Sequence, residues 1–249
     1  MKALLLQVKM VFFSLLIFAA ACCVCCTSIY EEPLDEQLGH VFDTDEGSEE
    51  TQALTIPMYS MSGEVRDEVF VPIAASEHAS AWVSAHAIDE STAEALLETF
   101  ETTILPALPV PTAMGENKLA ILISYMEGNV YGYTPYELQA QAPTVCLNAL
   151  YPEDLAYALA HEYQHLCVYE ACHAGGTAMG EKADESLSDM FCERLFPGRG
   201  RERGILSEER ALAAQEHLAT WGQDVLPHVY DLLRAGYSQT EIWSILENG

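Results

Sequence analysis

The sequence is poor in basic residues. It contains 11 Lys and Arg against 38 Asp and Glu, which gives a formal net charge of -27 over 249 residues. Nucleic-acid binding relies on clustered Lys and Arg, and attraction to anionic lipid headgroups needs the same charge. We therefore expect no nucleic-acid partner. Because 50% of the residues are hydrophobic, disorder of the whole chain is excluded, and the length suits one or two globular domains.

The apolar segment near the N-terminus is short for a full membrane span, which needs about 20 residues. Two lysines flank and precede the uncharged run Met10–Cys26, an arrangement typical of a secretory signal. Within it, Ala19–Cys23 resembles a loose bacterial lipobox, with Ala19 in place of the usual branched residue. This resemblance implies a lipidated Cys22. An uncleaved signal anchor and simple secretion are the alternatives, and all three place the folded part outside the cytoplasm.

The segment that follows is strongly acidic. Residues 27–55 contain nine acidic side chains, no Lys and no Arg, and they show no hydrophobic periodicity. Such a self-repelling segment is typical of an extended, disordered tether. We therefore divide the chain into a signal peptide or membrane anchor (1–26), an acidic tether (27–55) and a folded domain (56–249).

Half of the eight cysteines lie outside the signal segment. An even number in an exported domain permits two disulfides, and free buried thiols are an equally open alternative. The four residues are Cys146, Cys167, Cys172 and Cys192.

The hydrophobic pattern predicts strands in the first part of the domain and helices in the second part. The expected strands are 65–73, 81–87, 119–126 and 144–150. The expected helices are 91–105, a segment of about 17 residues from Pro152, and 181–196. Ser91 and Glu94 form a capping-box pattern at the start of the first helix. A mixed sheet followed by helices indicates the α+β class.

An HExxH motif, His161-Glu162-Tyr163-Gln164-His165, falls within the second predicted helix. The spacing of four puts the two imidazoles on one helical face, where two neutral nitrogens can bind one zinc ion. Glu162 lies about 100° around the helix from His161 and can reach a water at the metal. The motif therefore predicts metal ligands at His161 and His165 and a general base at Glu162.

Two acidic residues follow the motif in the next predicted helix. Glu185 comes twenty residues after His165, and Asp189 follows four residues later. A hydrolytic zinc site needs three protein ligands and one open position, and Glu185 on the next helix can supply the third ligand. Asp189 lies one turn further along that helix. We expect it to accept a hydrogen bond from a ligating histidine and so to fix the tautomer of that ring.

The HExxH motif followed by ExxxD on the next helix resembles the pattern of the gluzincin metallopeptidases, and the chain is most similar to the hyicolysin-type family. The resemblance covers roughly residues 82–195. Outside the two motifs it rests on Phe100, Pro106, Gly115, Gly132-Tyr133, Cys146-Leu147-Asn148, Tyr151-Pro152 and Leu159-Ala160. It implies a zincin-like domain, with a mixed sheet packed on an active-site helix and a helical C-terminal part.

The passage around the third ligand departs from that family. The family tends to have a Trp-Leu-Asn-Glu-Gly-Leu-like passage, whereas this chain has Lys182-Ala183-Asp184-Glu185-Ser186-Leu187. The sequence continues for 64 residues after Glu185, so we expect any further substrate-binding lobe to be small. We expect both departures to affect how the substrate is bound more than how zinc is bound.

The resemblance implies a zinc-dependent endopeptidase that acts on a peptide or protein substrate. Zn²⁺ at His161, His165 and Glu185 would activate a water, and Glu162 would move its proton to the leaving amine. The donor to the developing oxyanion is open among Tyr169, His173, His228, Tyr230 and Tyr237. The alternative function is a zinc-binding surface lipoprotein without proteolytic activity. In either case, contact with the membrane would run through the N-terminal lipid or anchor.

Overall fold

The computed structural model describes residues 53–59, 65–108, 117–135 and 142–248, all of which belong to one unit of the chain. The predicted signal segment with Cys22, and the predicted tether up to residue 52, lie outside the described residues. The tether boundary at residue 55 is too late, because the first strand already includes residues 54 and 55.

Within the described residues, six strands form one mixed sheet in the order β1-β2-β3-β4-β6-β5. Strands β1 to β3 are antiparallel, β3, β4 and β6 are parallel, and β5 runs antiparallel to β6 at the end of the order. The strands are β1 (Leu54–Tyr59), β2 (Val65–Ala75), β3 (Ala79–Ser84), β4 (Leu119–Ser124), β5 (Gly132–Tyr133) and β6 (Thr144–Asn148). The sheet is therefore mixed, as the sequence indicates.

Strand β3 ends earlier than the hydrophobic pattern predicts. Ala85 and His86 both have positive φ angles, 49° and 55°, which turn the chain out of the sheet before the expected end at Ala87. Because non-glycine residues rarely adopt this conformation, apolar patterning gives no sign of the turn.

Seven α-helices follow or interrupt the strands in the described part of the chain. They are α1 (Glu90–Thr99), α2 (Leu155–Gly175), α3 (Glu181–Leu195), α4 (Arg199–Glu202), α5 (Glu208–Trp221), α6 (Val225–Arg234) and α7 (Gln239–Asn248). A π-helical turn (Phe100–Ile104) and a 3₁₀ turn (Leu105–Ala107) continue α1. After β6, every described regular element is helical, which agrees with the α+β prediction.

The predicted capping box at the start of α1 is wrong. The N-cap is Asp89, whose carboxylate accepts a hydrogen bond from the Thr92 backbone N–H at 2.8 Å. Ser91 lies inside the first turn, and its hydroxyl donates to the same Asp89 carboxylate at 3.0 Å. A carboxylate also interacts favourably with the positive end of the helix dipole.

Helix α2 is the longest described helix and extends beyond its predicted length. A 3₁₀ turn (Pro152–Asp154) precedes it, and Gly176 ends it in a left-handed conformation with φ 64°. At Gly175, a Cβ atom would lie 1.8 Å from the Leu233 carbonyl oxygen of α6. Only glycine permits this approach, so the Gly175-Gly176 pair both ends α2 and lets it pack closely on α6.

The start of α2 is held by a buried carboxylate that pairs with two partly exposed arginines. Asp154 is 1% exposed, and its carboxylate accepts hydrogen bonds from Arg199 at 3.2 Å and from the Arg203 Nε at 3.0 Å. Both arginines belong to or adjoin the short helix α4, in a region whose sequence suggests a loop. Two fixed cations satisfy the buried carboxylate, and this anchors the helix that carries the HExxH motif.

The main core lies between the sheet and the helices. One face of β3, β4 and β6 packs on α1 and α2, and α2 also contacts α3 and α6. A smaller apolar cluster covers the opposite face of the sheet, around Phe70, Trp82 and Leu122. Helix α2 is therefore central, and 14 of its residues are buried.

The four cysteines at positions 146, 167, 172 and 192 are buried, and none of them is in a disulfide bond within the described residues. Of the two alternatives that the sequence leaves open, disulfides and buried thiols, the structure therefore has thiols. Within the described residues, no helix has the length and apolarity needed to cross a membrane.

Candidate metal centre

Helices α2 and α3 bring three side chains together at one point. The Nε2 atoms of His161 and His165 lie 3.1 Å apart. Glu185 Oε1 lies 3.4 Å from His165 Nε2, and Glu185 Oε2 lies 3.6 Å from His161 Nε2. Tetrahedral zinc with bonds of about 2.0–2.1 Å separates its ligand atoms by about 3.4 Å. The three donors therefore have the spacing of a metal site, as the sequence predicts.

This cluster is the single group of three or more His, Cys, Asp or Glu side chains within the described residues that is arranged to hold a metal ion. His165 is the most buried of the three side chains, with 9% of its side chain exposed, against 16% for His161 and 40% for Glu185. The cluster is thus anchored in the protein on the His165 side and reached by solvent on the Glu185 side.

Asp184 orients the ring of His165. Its Oδ2 lies 3.0 Å from His165 Nδ1, the nitrogen that faces away from the cluster. The Ser188 hydroxyl lies 3.3 Å from the same nitrogen and donates to the side-chain carbonyl of Gln164. An Nδ1–H donated to a carboxylate leaves the Nε2 lone pair for a metal and raises its basicity.

The expected contact of Asp189 with a ligating histidine is wrong. Asp189 instead pairs with Arg210 of α5, which donates from Nε to Oδ2 at 2.8 Å and from Nη2 to Oδ1 at 2.9 Å. Asp184, immediately before Glu185, makes the contact with His165 that was expected of Asp189. Asp189 is 4% exposed, and the guanidinium of Arg210 compensates its buried charge.

The cluster shifts the pKa values of its own members. Burial alone would lower the pKa of His165, but hydrogen bonds with Asp184 and Glu185 outweigh it and raise the pKa to about 10. Hydrogen bonds from His161 and His165 hold the pKa of Glu185 well below its ordinary value. Without a metal, Glu185 is therefore ionised, and a metal would take the place of the proton on His165.

Glu162 lies beside the cluster and is almost completely enclosed. It is 6% exposed, and burial raises its pKa above the ordinary glutamate value. The Thr134 hydroxyl donates to its Oε2 at 2.9 Å. At Gly132 of β5, a Cβ atom would lie 3.0 Å from Glu162 Cγ and 2.8 Å from the Cys146 carbonyl oxygen. Glycine therefore allows β5 to approach α2, and Thr134 just beyond it fixes the carboxylate.

A cavity of about 730 Å³ opens next to these residues. Strand β5, the second half of α2 and the start of α3 form its wall, and Glu162, His165 and Glu185 are in its lining. Of the five candidate oxyanion donors, Tyr169 and His173 line the cavity, with their rings stacked 6.3 Å apart. The other three do not line it, and Tyr230 is fully buried.

Sequence reasoning missed Asp184, Thr134 and Arg210. Asp184 has a signal in the sequence, since it directly precedes the predicted third ligand Glu185. Thr134 directly follows β5 and Arg210 lies in α5, and no spacing in the sequence relates them to the HExxH motif.

A scan against models of known protein families and a search of curated proteins found no match.

Proposed function

We propose that this chain is a zinc-dependent endopeptidase of the gluzincin type. The observation that carries the proposal is the cluster of His161, His165 and Glu185, two of whose members, His165 and Glu185, line one cavity together with the buried Glu162. The resemblance of the HExxH and ExxxD motifs to the gluzincin pattern supports it. The zincin-like fold is part of the same proposal.

The donor set suits zinc among the common divalent cations. Two imidazole nitrogens and one carboxylate are the protein ligands of hydrolytic zinc sites, whereas calcium and magnesium prefer sets composed of oxygens. When bound there, zinc supplies Lewis-acid chemistry, which lowers the pKa of water and polarises a carbonyl group. Asp184 prepares His165 for this role by holding its Nδ1–H.

Glu162 is the general base in this proposal. Its carboxylate is close to the ligands, shielded from solvent and held by Thr134, and its raised pKa suits a group that must accept a proton and release it again. It takes the proton of the attacking water and passes it to the leaving amine. Tyr169 and His173 are the two candidate oxyanion donors that line the cavity.

The cavity wall is consistent with an extended peptide as substrate. Strand β5 lies at the end of the strand order and contributes Gly132 and Tyr133 to the lining, and Thr134 follows it there. A peptide can lie alongside such an edge in an extended conformation. The described lining holds four carboxylates and no Lys or Arg, which disfavours strongly acidic substrates. Export and a lipid anchor at Cys22 complete the proposal and rest on the N-terminal sequence.

The test is cleavage of an unfolded protein such as casein, with and without a chelator. We expect wild type to cleave it, the chelator to stop cleavage and added zinc to restore it. Glu162→Gln should reduce kcat by at least about 100-fold while one zinc per chain stays bound. Unchanged cleavage by Glu162→Gln would contradict the proposal. One bound zinc without any cleavage by wild type would favour the surface lipoprotein instead.

A further inference from the structure

Arg210 contacts the predicted third metal ligand directly. Its Nη2 donates to Glu185 Oε2 at 2.8 Å, and the same guanidinium also forms two hydrogen bonds with Asp189. Arg210 is in the first turn of α5, where its backbone N–H donates to the hydroxyl of the N-cap residue Ser207 at 3.2 Å. Its position is therefore fixed from two sides, by the helix cap and by a buried carboxylate.

Each oxygen of Glu185 lies near one histidine, Oε1 at 3.4 Å from His165 Nε2 and Oε2 at 3.6 Å from His161 Nε2. The contact with Arg210 distinguishes them, because the guanidinium donates to Oε2 at 2.8 Å. A carboxylate can bind a metal through one oxygen or through both, and two-oxygen binding uses a position that a hydrolytic site must keep for water or substrate. A guanidinium hydrogen-bonded to Oε2 favours ligation through Oε1 alone.

The charge of Arg210 would by itself repel a divalent cation. Asp189 offsets this effect, because its buried carboxylate forms a bidentate pair with the guanidinium. The opposite charges of Arg210 and Asp189 nearly cancel at the cluster. The main effect of Arg210 on the cluster is therefore its directional hydrogen bond to Glu185. A positioning role and a purely electrostatic role therefore predict opposite effects when Arg210 is replaced by a neutral residue.

We propose that Arg210, braced by Asp189, is a positioning residue that makes Glu185 a single-oxygen ligand of the metal. The inference rests on the proposed metal site and explains the ExxxD spacing in this chain. Asp189 acts on Glu185 through Arg210, one turn away along α3, instead of acting on a histidine.

The experiment measures Zn²⁺ binding by the purified full chain, in competition with a chromogenic chelator. We expect Arg210→Met to weaken zinc binding about ten-fold, since partners of metal ligands have effects of this size. Arg210→Lys keeps the charge but lacks the planar fork, so it should also weaken binding. With Co²⁺ as the probe, Arg210→Met should change the visible absorption spectrum, because two-oxygen ligation raises the coordination number.

Loss of Arg210 leaves Asp189 buried without its partner, so the double variant Asp189→Asn/Arg210→Met serves as a second test that removes both charges. It should show the same weakened binding and altered Co²⁺ spectrum. Arg66→Met, which removes an exposed arginine of β2 paired only loosely with Glu68 at 3.5 Å, is the matched control and should match wild type.

The outcomes separate the two proposals. If wild type binds zinc and both Arg210→Met variants bind it equally well or more tightly, the positioning role is overturned and the metal site stands. If wild type itself binds no zinc, the proposed function fails, and the inference fails with it.

Discussion

Asp184 is the residue through which α3 controls the chemistry of α2. Its carboxylate is 3.0 Å from His165 Nδ1, and this contact dominates the increase in the pKa of that ring. We expect Asp184→Asn to weaken zinc binding about ten-fold, because an amide stabilises the ligating imidazole less than a carboxylate does. Competition with a chelator measures the effect.

The control for Asp184 is Glu208→Gln, which removes an exposed carboxylate from the first turn of α5. It lowers the net negative charge by the same amount without touching the cluster. Equal weakening in the two variants would mean that the general acidity of the protein, rather than the contact with His165, governs affinity.

At the scale of elements, one carboxylate connects the π-helical turn that follows α1 to the turn between β2 and β3. Glu101 accepts hydrogen bonds from the Ser76 hydroxyl at 2.6 Å and the His78 backbone N–H at 2.8 Å. Burial alone would raise the pKa of Glu101, but the bonds from Ser76 and His78 outweigh it, so the pKa is lowered.

This depressed pKa sets a pH window for stability. The contribution of Glu101 is fully present above about pH 4.5, the ordinary pKa, and is lost as the pH falls through the lower folded-state pKa. Glu101→Gln should therefore reduce the free energy of unfolding by about 1 kcal/mol near neutral pH and by less near pH ~3. Urea unfolding at both pH values tests this, with the exposed Glu98→Gln as control. A difference that grows on acidification would contradict the assignment.

The elements also show what sequence patterns can and cannot resolve. The two histidines and Glu185 could be predicted from the sequence, because a helix fixes the direction of residues four apart and the motif places the third ligand on the next helix. The partners of Asp184 and Asp189 could not be predicted in this way, because they depend on the rotation of α3 against α2 and on where α5 begins. Likewise, Asp89 and Ser91 are both good N-caps, and only the backbone conformation distinguishes them.

At the scale of the whole molecule, the order of sheet and helices followed from periodicity, whereas the pairing order β4-β6-β5 did not. Strand β5 has two residues, too few for any alternating pattern, yet it brings Thr134 to Glu162. Long-range placement of such short elements depends on close approaches such as the one at Gly132, which a local pattern does not encode.

A metal bound by α2 and α3 would link the two helices that face the cavity, so the stability of the whole domain should depend on it. At a free zinc concentration of about 100 times Kd, binding adds roughly 2.7 kcal/mol, which corresponds to an increase in Tm of about 5–10 °C. Calorimetry with zinc and with excess chelator measures the difference. His161→Ala should abolish the increase, whereas the exposed His228→Ala, outside the cluster, should keep it. A full increase in His161→Ala would assign the stabilising metal to the acidic surface, because the cluster would then lack one of its three ligands.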